Sequence, residues 1–142
     1  MKEILVVYWS GTGNTEKMAN AICDGIAKTG DKFVLKSVDD ASADDVKSYS
    51  HIALGCSSMG AEVLEEAEME PFVESITGLV SGKKLLLFGS YGWGDGQWMR
   101  DWYERMDATG AQLISEGLIV NETPDADGIA LCEEAGQALA KA

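Results

Sequence analysis

Short runs of apolar residues alternate along the chain with longer segments whose apolar positions recur every three or four residues. Residues 4–9 form the first apolar run, and in the segment 15–28 Met18, Ile22 and Ile26 fall on one helical face. This alternation of strand and helix patterns continues to the end of the chain. It predicts further strands at 33–38, 52–55, 85–88 and 113–120, and helices at 68–79, 97–108 and 126–141.

Strands separated by helices of this length favour right-handed crossovers and a parallel sheet. We therefore expect an α/β fold, a doubly wound five-stranded parallel sheet of order 2-1-3-4-5 with helices on both faces, in one domain over residues 1–142. The acidic segment 39–48 is expected to be a loop with at most a short helix. Gly117, inside the last predicted strand, is a candidate bulge.

Three of the predicted strands end in loops rich in glycine and hydroxyl side chains. These loops cover residues 10–15, 55–62 and 89–96 and follow the first, third and fourth strands. In a sheet of this order, the carboxyl ends of the strands meet where the winding reverses, and ligands bind there. Unrelated turns would not be expected to converge in this way, so the sequence predicts a ligand site at this edge.

The first loop suits a phosphate because it joins a buried strand to a helix, whose free N–H groups face the loop. The loop has hydroxyl and amide donors but no Lys or Arg. It lacks the Gly-Lys-Ser/Thr ending of a Walker motif, and Glu16 replaces the third glycine of a dinucleotide fingerprint, so a mononucleotide phosphate fits better. The alternative is an exposed turn capped by Thr12 or Asn14.

Aromatic residues in the third loop indicate what else the site holds. Tyr91 and Trp93 stand among glycines, and Met59 faces them from the second loop, so a flat, polarizable ring could lie between. The alternative is that Trp93 is a buried anchor for its loop. Trp98 and Trp102, four residues apart on a predicted helix, are expected to be packing residues.

Charge and cysteine content narrow the function classes. The formal net charge is −13, from 24 acidic and 11 basic residues, which argues against nucleic acid or an anionic membrane and favours basic partners, unless the acidity serves solubility alone. No apolar run approaches the length of a membrane span and no signal-peptide layout is present, so no membrane insertion and a cytoplasmic location are expected. The three cysteines are far apart and there is one histidine, so we expect buried thiols and no metal site.

Together the three loops resemble the flavin mononucleotide (FMN) loops of the flavodoxin family. The resemblance extends over essentially the whole chain, and it is to the short-chain, clostridial-type group because the fifth strand lacks a long insertion. It implies a low-potential one-electron carrier with non-covalently bound FMN, a monomer that serves redox proteins and is not itself an enzyme. An FMN-dependent reductase of a small molecule and a nucleotide-sensing regulatory module are the alternatives.

The resemblance also implies roles for individual residues. The first loop and the hydroxyls of Ser57 and Ser90 would hold the phosphate, and Met59 and Trp93 would flank the flavin ring. Gly60 would present its carbonyl to flavin N5, and Glu62 would accept from N3. Backbone groups near Tyr91 and Gly92 would meet the pyrimidine edge, while Ser58 and Ala61 match the family less closely. The predicted cofactor-binding residues are Ser10, Gly11, Thr12, Gly13, Asn14, Thr15, Ser57, Ser58, Met59, Gly60, Ala61, Glu62, Ser90, Tyr91, Gly92, Trp93, Gly94 and Asp95.

Acidic residues surround the second loop. No Lys or Arg occurs between Ser48 and Gly82, and Asp95 lies on the facing loop. A ring bound there would sit in a negative field that opposes its reduction and lowers its potential. The same rim would attract redox proteins with basic docking surfaces. Its residues in the second-loop region are Glu62, Glu65, Glu66, Glu68, Glu70 and Glu74.

Overall fold

The structure, a computed structural model, describes residues 2–59 and 63–142. It contains a parallel sheet of order β2-β1-β3-β4-β5, in which β6 also pairs with β4, so the predicted order is confirmed. The strands are β1 (Glu3–Trp9), β2 (Lys32–Ser37), β3 (His51–Cys56), β4 (Lys84–Tyr91), β5 (Gln112–Leu113) and β6 (Leu118–Asn121). The helices are α1 (Asn14–Lys28), α2 (Ala43–Lys47), α3 (Met69–Ile76), α4 (Gln97–Asp107) and α5 (Ala126–Lys141).

Two apolar cores lie on opposite faces of the sheet because neighbouring residues of a strand point to opposite sides. In β1, Ile4 and Val6 pack with α1 and α5, whereas Leu5 and Val7 pack with α3 and α4. All four side chains are fully buried. The run of apolar residues in β1 is thus a strand covered on both faces, as the sequence pattern predicts.

Helices α1 and α5 approach each other backbone to backbone. A Cβ atom on Gly25 would lie 2.0 Å from the carbonyl oxygen of Glu133, and one on Gly136 would lie 2.1 Å from that of Ile22. Both distances are far below van der Waals contact. Each helix therefore contributes a glycine to a contact that no residue with a side chain could make.

The prediction of one continuous fifth strand is wrong. Residues 113–120 divide between β5, which pairs with Lys84 and Leu85, and β6, which pairs with Phe88 to Tyr91. The chain leaves the sheet between them, and Gly117 has φ +103° rather than forming a bulge within a strand. A Cβ there would lie 2.7 Å from Cγ of Met99 on α4, so this departure depends on a contact with a helix.

The remaining elements follow the predictions within a few residues. α3 is shorter than the predicted helix 68–79 and has Pro71 in its first turn, where proline is tolerated. The acidic segment 39–48 contains the short α2, capped by Ser42 and Asp45 in a reciprocal capping box. Within residues 2–59 and 63–142, no helix has the length and apolar character needed to cross a membrane.

Candidate functional site

The loops that follow β1, β3 and β4 meet at the carboxyl edge of the sheet and enclose a cleft of about 260 Å³. All three predicted loops contribute to its lining, so the structure brings them together at one place. Two further residues, Trp9 and Glu122, complete the lining. The predicted site residues that line the cleft are Gly11, Thr12, Asn14, Ser57, Ser58, Met59, Ser90, Tyr91 and Gly92.

The cleft opens beside the N-terminus of α1. The N-cap residue is Gly13, with φ +94°, and no side chain in the described part of the chain caps the helix. The alternative of a turn capped by Thr12 or Asn14 is therefore wrong. Gly13 N–H donates to Ser10 Oγ at 3.0 Å, which closes the turn before the helix. An uncapped N-terminus, with its unpaired N–H groups and positive dipole end, favours a negatively charged ligand.

The hydroxyl of Thr15 joins the three loops. This residue is fully buried, and its Oγ1 lies 2.7 Å from Ser57 Oγ and accepts a 3.2 Å bond from Ser90 N–H. The Ser90 hydroxyl in turn donates to the carbonyl of Glu122 at 2.7 Å. Thr15 and Ser90 thus bond to protein groups at the base of the cleft. Of the serine and threonine residues that line the cleft, Ser90 is buried, whereas Thr12 is exposed and Ser57 and Ser58 are half-buried.

The second loop is held at both ends. Ser58 N–H donates to the carbonyl of Ser90 at 3.0 Å, and Met59 and Val63 exchange two backbone bonds of 3.0 Å. Met59 is half-buried and lines the cleft. The predicted residues Gly60, Ala61 and Glu62 lie outside the described residues.

The third loop presents an exposed tryptophan. Trp93 is 63% exposed, so the alternative of a buried anchor is wrong. Gly94 next to it has φ +86°, and Asp95 pairs with Arg100 of α4 at 3.0 Å. Trp93, Gly94 and Asp95 are not among the residues that line the cleft. The exposed indole of Trp93 nonetheless offers a flat apolar face in the same loop as the lining residues Tyr91 and Gly92.

Behind that loop, two tryptophans pack as predicted. Trp98 and Trp102 of α4 are 1% and 2% exposed. The Trp98 indole N–H donates to the carbonyl of Cys56 at the end of β3, at 3.2 Å, and its ring lies 5.7 Å from that of Tyr91, centroid to centroid. These contacts fix the inner side of the third loop against β3, and they leave Trp93 outside.

Two lining residues were not predicted. Trp9 was assigned only to the first strand, although as the last residue of that strand it lies at the ligand edge. Its ring would be 3.0 Å from a Cβ on Gly11, so that glycine makes room for the indole. Glu122 has φ +57°, the one positive φ of a non-glycine residue in the part of the chain that the structure describes. Nothing in the sequence around Glu122 signals this backbone conformation.

The donors of the cleft fit a phosphate beside a flat ring. Its lining contains hydroxyl, amide and aromatic groups, the acidic Glu122 and no Lys or Arg, so a phosphate would be held by neutral donors and the dipole of α1. Cys56, under the second loop, is no nucleophile: burial raises the pKa of its thiol to about 12. Cys23 and Cys132 are also buried free thiols, as predicted, and no cluster of metal-ligating side chains occurs among the described residues.

Comparisons with known proteins agree with this geometry. The chain matches the flavodoxin family over residues 6–136. It is 53% identical to a flavodoxin of Clostridium beijerinckii over 84% of this chain and 87% of that protein. It is 47% identical to a flavodoxin of Megasphaera elsdenii over 96% of this chain and 98% of the relative.

Solved structures give the same result. The solution structure of two-electron reduced Megasphaera elsdenii flavodoxin superposes with a TM-score of 0.89 at 48% identity, covering 98% of this chain and 99% of that one. A flavodoxin from the domain Archaea has a TM-score of 0.89 at 28% identity, over 98% of this chain and 96% of the other. The chain therefore belongs to the flavodoxin family, among its short-chain, clostridial-type members.

Proposed function

We propose that this chain carries single electrons between redox enzymes at low potential, with FMN held non-covalently in the cleft. The observation that carries the proposal is the uncapped N-terminus of α1, which opens into a cleft of neutral donors built by three loops. FMN supplies the one-electron chemistry when it is bound. The family is one of electron-transfer proteins rather than enzymes, which disfavours the alternative of a small-molecule reductase.

The chain's own residues bind and shield the cofactor. In this proposal the first loop and Ser57 receive the phosphate, where backbone N–H groups and hydroxyls take the place of cationic side chains. Met59 and Trp93 flank the ring and limit the access of water to it. The full set of predicted residues, including Gly60, Ala61 and Glu62 with their expected roles, remains part of the proposal. Ser90 and Thr15 act in it mainly by holding the loops together.

The acidic rim would be the docking surface for redox partners with basic faces. Part of its charge is neutralised, because Glu70 pairs with Arg105 at 2.7 Å and Asp95 pairs with Arg100. Glu65 is ionised, but it is buried and bonded to backbone N–H groups, so it is not available to a partner. Among the described residues of this rim, the exposed carboxylates without an ion pair are those of Glu66, Glu68 and Glu74, and the exposed Glu122 in the cleft lining adds a fourth. We infer that these four provide most of the attraction for a basic partner.

Titration of the apoprotein with FMN and with riboflavin tests the cofactor site. We expect FMN to bind much more tightly than riboflavin, because only FMN has the phosphate that the first loop would hold. An anaerobic redox titration should then give two separate one-electron midpoint potentials. Equal affinity for the two ligands, or turnover with NADH or NADPH alone, would contradict the proposal.

Ionic strength tests the docking surface. The rate of electron transfer to a basic haem protein should fall as salt is added, and it should fall further when Glu66 and Glu74 are both changed to Lys. A double change of Asp107 and Glu134 to Lys alters the net charge equally and is the control. Both residues are exposed, form no ion pair among the described residues, and lie in the second halves of α4 and α5, away from the carboxyl edge of the sheet. If the rate of electron transfer falls equally in both double variants, net charge rather than the rim governs docking.

We further propose that the protein is a monomer of one domain over residues 1–142 and that it works in the cytoplasm. The family resemblance supports the first point, and the three buried free thiols are compatible with a reducing compartment. Size-exclusion chromatography with light scattering checks the oligomeric state, and cell fractionation checks the location.

A further inference from the structure

Glu65, just after the second loop, has a carboxylate that is buried and fully engaged. The residue is 8% exposed. Its Oε1 accepts from Ala67 N–H at 2.7 Å, and its Oε2 accepts from Glu68 N–H at 2.8 Å and from Met69 N–H at 3.0 Å. These N–H groups belong to the turn before α3, to its N-cap residue Glu68 and to its first residue Met69, and the helix has no other side-chain cap within the described residues. Glu65 therefore fixes the N-terminus of α3.

The pKa of the Glu65 carboxyl reflects these three hydrogen bonds. Burial alone would raise the pKa of the Glu65 carboxyl, but the three backbone bonds outweigh that effect, and its pKa is lowered. The group is thus ionised at neutral pH, with both oxygens accepting from the backbone.

The backbone of Glu65 extends the connection to the sheet. Its N–H donates to Cys56 Sγ at 3.4 Å, and its carbonyl accepts from Glu70 N–H at 2.8 Å. Cys56 is the last residue of β3 and is fully buried. One residue therefore links the end of the strand before the second loop to the first turn of the helix after it.

The segment between these two points is the second loop of the cleft. Its described residues are held at two points: Ser58 bonds to Ser90 of the third loop, and Met59 and Val63 form a bridge with each other. On the Val63 side, the buried Leu64 and then Glu65 are its connections to the protein core. The position of the bridge, and hence of Met59 in the cleft, depends on how firmly this side is held.

We propose that Glu65 is a positioning residue for the flavin site, one that holds the second loop in its binding conformation from behind without touching the cofactor. This inference rests on the proposed function, since it assumes that the second loop contacts FMN. The carboxylate holds α3 and the backbone holds Cys56, so a change at Glu65 moves the base of the loop.

A glutamine cannot replace this carboxylate, although it has the same shape. The site presents three N–H donors to two oxygen acceptors. A carboxamide has one oxygen, and its NH₂ group would point at an N–H donor. Glu65→Gln therefore loses at least one bond to a charged acceptor and places two donors against each other.

The test compares Glu65→Gln with Glu66→Gln. Glu66 is the exposed neighbour, and its side chain makes no hydrogen bond within the described part of the chain, so Glu66→Gln removes the same charge without disturbing a bond. We expect the FMN dissociation constant of Glu65→Gln to be about tenfold above that of Glu66→Gln. In the apoprotein, the amide protons of Met59 and Val63 should exchange faster in Glu65→Gln alone.

Each other outcome overturns the inference. Equal dissociation constants and exchange rates in the two variants would mean that only the charge matters. A lower unfolding free energy in Glu65→Gln, with FMN affinity and bridge exchange as in Glu66→Gln, would mean that Glu65 caps α3 and does nothing for the site. Should Glu65→Gln not fold, Glu65→Asp decides: it keeps two acceptors on a shorter chain, and wild-type affinity and exchange in that variant would refute the proposal.

The two hypotheses can fail separately. If the wild-type protein does not bind FMN, the proposed function is wrong, while the exchange comparison in the apoprotein still shows whether Glu65 holds the loop. If the wild-type protein binds FMN and the two variants behave alike, only the role of Glu65 is wrong.

Discussion

Glycine has opposite uses in the α1–α5 contact and in the cleft. At Gly25 and Gly136, a Cβ atom would lie about 2 Å from a backbone oxygen of the other helix, so the missing side chain is what allows the contact. At Gly13 and Gly92, a Cβ would meet nothing within 4 Å. The space beside the first pair is filled by the neighbouring helix, and the space beside the second pair is open.

The surroundings of a glycine therefore decide what its replacement changes. A glycine that protein packs against supports folding, and its replacement affects the free energy of unfolding. A glycine such as Gly92, in open space beside the cleft and without a positive φ, supports binding, and its replacement affects the ligand while the apoprotein hardly changes. At Gly13, the φ of +94° adds backbone strain to any replacement. The two regions should therefore respond independently to mutation, and the following experiments test whether they do.

The largest effect is expected from Gly25→Ala. Alanine favours a helix over glycine by about 1 kcal/mol, but the clash with a backbone carbonyl that cannot move aside should reverse this and lower the free energy of unfolding by about 3 kcal/mol or more. Denaturant unfolding of the apoprotein measures it. Asp24→Ala, at an exposed neighbouring position of α1, is the control and should not destabilise the protein by a comparable amount. A Gly25→Ala variant as stable as wild type would show that the contact between α1 and α5 does not require a glycine.

Thr15→Val tests the buried hydroxyl that joins the three loops of the cleft. The substitution keeps the shape of the side chain but removes the bonds to Ser57 and Ser90, which should cost about 1–3 kcal/mol of unfolding free energy and also weaken FMN binding. Thr29→Val is the control: at the other end of α1 it removes the hydroxyl of a half-buried threonine, which bonds to Ile26 and Asp31, and it should affect stability alone. Unchanged FMN affinity in Thr15→Val would show that the three loops hold their positions without this hydroxyl.

Gly92→Ala tests whether a glycine that faces open space beside the cleft serves binding rather than folding. The apoprotein should unfold within about 0.5 kcal/mol of wild type, because the added methyl group meets no protein atom. FMN should bind roughly tenfold to a hundredfold more weakly, since the methyl group occupies space in the cleft. Gly78→Ala, at another open glycine away from the cleft lining, should alter neither quantity. If Gly92→Ala binds FMN normally, the ligand lies elsewhere.

The smallest effect is expected from Trp93→Ala. Because Trp93 is 63% exposed, its removal should leave the stability of the apoprotein nearly unchanged. FMN affinity should fall by about threefold to tenfold, the value of one aromatic stack, and the lower midpoint potential should rise as water reaches the ring and stabilises the added charge. Trp93→Phe should restore most of both. An unchanged flavin spectrum and potential in Trp93→Ala would place the indole away from the cofactor.

The parts of the molecule that could be predicted depend on neighbours in sequence or on alternation within one element. The run from Ile4 to Val7 faces two cores because every second side chain points the same way, which the pattern shows directly. The three loops could be located from their glycines, and their convergence follows from the strand order.

The parts that were missed depend on contacts between distant segments. The division of the fifth strand occurs where Gly117 lies close to Met99 of α4, and the backbone of Glu122 is held by Ser90 and Tyr91, some 30 residues earlier. The burial and hydrogen bonding of the Glu65 carboxylate could not be predicted either, since in the sequence this residue is one of six glutamates in an acidic stretch. Composition gives the same weight to a buried capping carboxylate and to an exposed one.

The division of the fifth strand also bears on aggregation. A long, uninterrupted strand at the border of a sheet presents a row of unpaired N–H and C=O groups that can recruit a strand from another molecule. Here that border consists of β5, with two residues, and β6, with four, separated by a segment that turns away over α4. Neither piece is long enough to serve as a template for a growing fibril, so the break at Gly117 removes this border of the sheet as a place where another strand could add.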